Sequence, residues 1–179
     1  NFVGDGFEYF PAKSATVAAY EPSDVYNSVS LGLAELANAG ITTVNNWSHN
    51  VRSPEWADAE LSAHRDAMVR ARFSYGHRDG QPGVQLIDFA DIDRVRSTWF
   101  GAQSPFEGLV HLGVNLRGPG NMPTFTAEMA AARERGLPVS VHSGQGPTSA
   151  VSAAALEQLG YLGPDFLLCH NLPATPADR

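Results

Sequence analysis

The chain has 179 residues, enough for one domain with a sizeable core. Its 43% hydrophobic and 17% charged residues exclude extended disorder. The net charge of −7, with no basic cluster, argues against a nucleic-acid partner and against a polybasic membrane patch. No run of about 18 apolar residues is present to span a membrane. A single cysteine, Cys169, excludes an intrachain disulfide framework and fits a reducing, cytoplasmic compartment.

Residues 1–20 carry Gly4, Gly6, Phe7, Tyr9, Phe10 and Pro11 with little periodicity and read as loop or irregular structure. Pro22 and Asp24 suit a first helical turn, Val25, Val29, Leu33 and Leu36 share one face, and Gly40 ends the helix. Ile41–Asn46 is β-branched and short, hence a strand, and Trp47–Asn50 leaves it as a loop. Ser53-Pro54 opens a second helix with Ala59, Ala63 and Ala67 as a packing stripe; His64 on this helix reads as exposed. Arg72–Tyr75 is the next strand, and Gly76–Ile87 a long loop. Asp88 caps a helix that presents Ile92, Val95 and Trp99, and Leu109–Leu116 follows as a strand. Arg117–Asn121 is a turn cluster; Phe125, Met129 and Ala132 mark a helix closed by Gly136. Pro138–His142 is an apolar strand that ends in histidine. Thr148 opens a helix with Val151, Ala155 and Leu159 on one face and Gly160 at its end, and Phe166–His170 is a second strand ending in histidine.

Strand starts near 41, 72, 110, 138 and 166 recur about every 30 residues, the size of one βα unit, so a parallel sheet is expected. On Leu109–Leu116 the residues Val110, Leu112, Val114 and Leu116 share one face, and His111, Gly113 and Asn115 the other. A doubly wound sheet wants apolar residues on both faces. A barrel tolerates polar residues pointing inward toward its mouth, so the expected class is α/β, a (β/α) barrel with His111 inside. His142 and His170 then stand at the C-terminal strand ends, where barrel enzymes place their chemistry. Neutral imidazole is the commonest metal ligand; a hydrogen-bonded histidine at a strand end is the competing reading. His49 after the first strand either faces the pocket or lies exposed in its loop. Asn115 and Arg117 stand near the end of the third strand as candidates for substrate binding, against a surface ion pair for Arg117. Trp47 is a pocket wall or a packing residue. Gly144–Thr148 before a helix is a weak anion site, without the lysine and glycines of a phosphate loop.

Ala39–Val44, Trp47–Asn50, the His142 stretch and Leu167–His170 together resemble the metal-dependent amidohydrolase superfamily, nearest its cytosine deaminase and triazine chlorohydrolase branch. The resemblance implies a (β/α)8 TIM-type barrel of which this chain supplies strands two to six, as the central part of one catalytic domain. Strand one and strands seven and eight would lie outside it. The Asn start and the Thr175–Asp178 helix start, cut short at Arg179, agree with an internal piece. The resemblance further implies one divalent metal, zinc or iron, with His142 and His170 as the ligands of strands five and six. The family's His-x-His pair and its aspartate have no counterpart here.

Two departures remove a carboxylate. The family commonly reads His-x-x-Glu after strand five, and that glutamate shuttles protons; here the position holds Gln145, whose amide can bind substrate but is no acid or base near neutral pH. Asn46 stands where close relatives often carry aspartate. The expected activity is hydrolysis of a C–N or related bond in a small heterocycle, with His142 and His170 on the metal, Gln145 and Asn115 orienting substrate, and His49 taking over the acid–base role. Two other readings stay open: a non-catalytic binding protein of the same fold, and an α/β domain that binds a phosphorylated small molecule at Gly144–Thr148. Open strand edges lead to the expectation of a homo-oligomer.

Overall fold

Each of the first four strands of this computed structural model hands the chain to a helix that returns it to the next strand's starting edge. The structure describes residues 9–142, 152–170 and 176. Helices α1 (Tyr9–Ala18) and α2 (Pro22–Asn38) precede β1 (Thr43–Ser48). There follow α3 (Pro54–Ala67), β2 (Arg70–Tyr75), α4 (Phe89–Trp99), β3 (Val110–Leu116), α5 (Met122–Glu134), β4 (Val139–His142), α6 (Ala153–Gln158) and β5 (Phe166–Cys169). The five strands pair in chain order and every pairing is parallel.

The sheet is rolled. Asn45 on β1 donates from Nδ2 to Ser140 Oγ on β4 at 3.0 Å and accepts from Ser74 Oγ on β2 at 2.7 Å. In a flat sheet β4 would lie three strand spacings away, roughly 14 Å, far beyond side-chain reach. Curling brings the inner faces of β1 and β4 together, as in an incomplete TIM-type barrel. Gly113 makes room on the inner wall: a Cβ there would stand 2.9 Å from the Arg72 stem and 3.0 Å from the Pro138 carbonyl. On the convex face Phe73, Val114, Val139 and Val141 are fully buried against Leu61, Ile92, Val95, Phe125, Met129 and Leu156 from the helices. Each such side chain contributes about 1.5–3 kcal/mol by leaving water.

Local chemistry sets where the strands begin. Gly40 at φ 82° lets its own N–H reach Ala37 O and the N–H of Ile41 reach Leu36 O, a Schellman closure of α2. The same pair of bonds closes α5 through Gly136 and Leu137, and α6 through Gly160 and Tyr161. Ile41 is thus spent on capping, so β1 begins at Thr43, two residues later than the β-branched run implies, and Trp47 and Ser48 belong to the strand. The second strand starts earlier than read, at Arg70. Residues 9–18, read as irregular, form α1; a few apolar residues without period hide so short a helix. α6 begins at Ala153 with Ser152 as its N-cap. The anion turn Gly144–Thr148, Gln145, Val151 and the helix start at Thr175–Asp178, Pro176 apart, lie outside the described residues. Among the described residues no helix is long and apolar enough to cross a membrane.

His64 corrects its reading as an exposed helix residue: it is fully buried. The buried face of α3 comprises Trp56, Ala57, Glu60, Leu61, Ala63 and His64, so a polar i, i+4 pair sits among its apolar residues. The reason lies on β1. Asn46 donates from Nδ2 to Glu60 Oε1 at 2.7 Å and approaches His64 Nε2 at 2.8 Å, while Ser48 Oγ donates to Glu60 Oε2 at 2.7 Å. Burial raises the Glu60 carboxyl above its ordinary range against the hydrogen bonds from Ser48 and Asn46, and pushes the His64 imidazole down to about 4.

Candidate functional site

Four rings meet at the C-terminal edge of the sheet. Residue parity puts Trp47 on the inner face of β1, and His142 on that of β4. Their ring centroids stand 3.8 Å apart. His49, just past β1, lies 5.7 Å from Trp47 and 6.2 Å from His142. His170 follows β5 and stacks on His142 at 4.8 Å with an 11° interplanar angle. By register Cys169 pairs with His142 across β4 and β5, so His170 would point outward if the strand continued. It leaves the strand instead, at φ 62°, a left-handed conformation that costs a side-chain-bearing residue energy and recurs at functional sites.

Both His142 and His170 are exposed, and neither ring has a hydrogen-bond partner among the described residues. Desolvation, then the neighbouring His170, His49 and Lys13, hold the His142 imidazole below its ordinary range. Its neutral form, which presents a lone pair, is thereby favoured. His49 is also held low, first by burial and then by Lys13. Lys13 on α1 pairs with Asp79 at 2.9 Å, and Arg52 donates to Val17 O, so α1 is fastened beside the mouth. Lys13 was not legible as a site neighbour, because it sits in the stretch read as irregular.

The metal expectation is tested by the donor set. Two imidazoles at one edge, neither hydrogen-bonded among the described residues, fit a divalent cation of the zinc type. They make half of a coordination shell. Among the described residues no group of three or more His, Cys, Asp and Glu side chains gathers to hold a metal. Any completing ligands lie outside those residues. Cys169 adds nothing here, since burial raises its thiol above the usual range.

The other sequence candidates occupy different ground. Asn115 is buried and its amide is engaged: Nδ2 donates to Ser74 O at 2.6 Å and points at Ser48 O at 3.5 Å. It ties the ends of β1, β2 and β3 together beneath Trp47 and His49. Gly76 makes this possible, because a Cβ there would fall 2.1 Å from Asn115 Oδ1. Gly76→Ala is expected to dislodge Asn115 and to destabilise the chain by about 1–3 kcal/mol, the scale of leaving a buried amide unpaired, as read from urea unfolding. Arg117 is likewise committed, donating to the carbonyls of Gln81, Pro82 and Gln85 at 2.8, 3.0 and 2.8 Å. It holds the 76–87 loop and stands in no ion pair among the described residues. His111 faces the inside, as expected. It lines an open hollow of about 820 Å³ with Thr43, Asn45, Arg72 and Leu167. That hollow lies toward the N-terminal strand ends, away from the four rings.

No protein-family model and no curated protein sequence matches the chain. Among solved structures it is similar to an adenosine deaminase from Xanthomonas campestris with bound zinc, at a TM-score of 0.68 and 17% identity. The match covers 98% of this chain and 42% of that one, so the chain spans less than half the deaminase's length. At that identity the likeness establishes the fold: α/β, with the strand order of a TIM-type barrel.

Proposed function

We propose that the chain is the central part, strands two to six, of a metal-dependent hydrolase domain. It would act on a C–N or related bond of a small heterocyclic substrate. The observation that carries this reading is the convergence of His142 and His170, one from each of two successive strand ends, with no hydrogen-bond partner for either ring among the described residues. The fold shared with a zinc-containing deaminase supports it. His142 and His170 would hold one divalent cation, zinc or iron. When bound, such a cation polarises the scissile group and lowers the pKa of water. The chain's own part is to shape and water the site. Trp47 forms one wall, flat enough to accept a planar ring. His49, neutral and beside His142, can accept a proton from a water and return it to the leaving group, provided substrate lies within hydrogen-bond reach. Gln145 would hold a polar edge of the substrate.

The Glu-to-Gln departure at 145 supports a second reading, a binding protein of the same fold that lacks the usual proton shuttle. A screen of amino- and chloro-substituted heterocycles, run with metal analysis of the protein in its full genetic context, separates the two. Turnover that is lost on chelation and restored by zinc or iron supports the hydrolase; ligand binding without turnover supports the binding protein. We extend the proposal to assembly: β1 and β5 are unpaired edges among the described residues, and parallel edges of this kind seek a covering partner.

A further inference from the structure

A second set of polar side chains lines the inner wall, toward the N-terminal strand ends and away from the four rings. Asn45, Arg72 and His111 are register neighbours across β1, β2 and β3, so their side chains leave the sheet on one face. The bond from Asn45 to Ser140 across the roll makes that face the inner one. Thr43 and Arg70 pair one step nearer the N-terminal ends, on the same face. Barrel interiors are ordinarily filled by layers of bulky branched side chains. This wall instead brings two guanidinium groups and an imidazole, those of Arg70, Arg72 and His111, to the lining of the open hollow of about 820 Å³.

Arg72 is built into the wall. Its stem lies over Gly113, where a Cβ would come within 2.9 Å of Cδ and 3.2 Å of Cγ. Gly113 leaves the space that the arginine fills. Arg72 is half-buried, yet its guanidinium has no hydrogen-bond acceptor or ion-pair partner among the described residues. Arg70, which is exposed, has none there either. Apart from exposed Arg78, every other described arginine donates to a protein oxygen. The one carboxylate among the described lining residues, Asp165, is taken by Arg133 at 3.0 Å.

A guanidinium drawn partly out of water without an acceptor loses hydration that nothing replaces. Its planar fork of donors matches the oxygens of a phosphate or a carboxylate. In a chain of net charge −7, two arginines that no carboxylate neutralises give this wall a local positive field. Two residues along a strand span about 7 Å, so Arg70 and Arg72 suit an anion with oxygens at both ends better than a single point charge. We propose that the hollow at the N-terminal strand ends binds a small molecule carrying two phosphate or carboxylate groups. Arg72 is its anchor, with Arg70 and His111 beside it and the Thr43 hydroxyl on the same wall. The site is separate from the proposed cation site and needs neither metal nor hydrolysis.

The test is nuclear magnetic resonance on the 179-residue chain, without added metal, at one fixed pH and ionic strength. Pyrophosphate and succinate are titrated separately while the arginine Nε–H and histidine ring ¹⁵N signals are followed. At least one probe should shift Arg72, Arg70 and His111 saturably and leave His142 and His170 in place; the tighter probe names the acid group. Arg72→Gln should weaken binding roughly tenfold or more, the scale of a lost charge-assisted hydrogen bond. Gly113→Ala, which displaces the Arg72 stem with the charge unchanged, should weaken it likewise. Arg72→Lys, which keeps the charge and loses the fork, should fall between wild type and Arg72→Gln, and decides the matter where Gly113→Ala does not fold. Arg78→Gln, outside the hollow, should bind as wild type. No saturable shift with either probe, or binding that survives Arg72→Gln, would overturn the proposal. So would an Arg78→Gln variant as weak as Arg72→Gln, since the attraction would then be general charge. Arg72 signals that move with protein concentration and ignore both probes would also overturn it, because the acceptor would then be a carboxylate of a second copy.

Discussion

Replacing His49 with alanine is expected to lower kcat of the active protein by about a hundredfold or more, the usual scale for removing a general acid or base. In the proposed hydrolase Gln145 would stand where the family it resembles commonly places a proton-carrying glutamate, and an amide cannot carry the proton. Among the rings at the mouth, His142 and His170 are assigned to the cation, and Trp47 does not titrate near neutral pH. That leaves His49, 6.2 Å from His142 and held neutral by burial, hence ready to accept a proton. Gln145→Ala should act differently. It removes a contact made to substrate and transition state alike, so KM should rise with kcat nearly unchanged. A kcat insensitive to His49 and collapsing at Gln145 would reverse the two roles.

The second large effect concerns stability against pH. His64 ordinarily titrates near 6.5 and in the fold is pushed down to about 4 by burial. Its folded pKa is depressed, so the unfolded chain takes up a proton first. Stability must then fall as pH drops from about 6.5 to about 4, by roughly 3 kcal/mol at about 1.4 kcal/mol per pH unit. Glu60 works in the opposite sense. Its folded carboxyl is raised, so the folded chain takes up the proton first and stability rises as pH falls through that raised value. The two are linked through Asn46 and can be separated by variants. His64→Gln should flatten the acid-side loss of urea stability, and Glu60→Gln should steepen it. A wild-type curve level between pH 6.5 and 4, unaltered by His64→Gln, would contradict the burial argument.

Much of the fold was legible because its signals are local and periodic. The spacing of β-branched runs, the glycines at 40, 136 and 160, and the alternation on β3 are each consequences of backbone chemistry that a sequence displays directly. The site was legible to the extent that it sits at strand ends: His142, His170, Trp47 and His49 do meet. What stayed hidden depends on distant partners. His64 looks like an exposed helix residue until Asn46 is known to face it. Asn115 and Arg117 look like substrate ligands until the carbonyls of Ser74 and of the 76–87 loop claim them. Glu128 gives no sign in the sequence that it reaches across 51 residues to His77. A polar residue's role follows from what faces it, and the linear chain does not record that.

The central claim is that His142 and His170 hold a divalent cation together. Titrating the 179-residue chain with zinc while following the histidine ring ¹⁵N signals tests it residue by residue. The account predicts that His142 and His170 shift together, that His64 and His111 do not, and that His142→Ala abolishes the shift at His170. Zinc that moves neither ring, or that moves His170 equally well without His142, would contradict it.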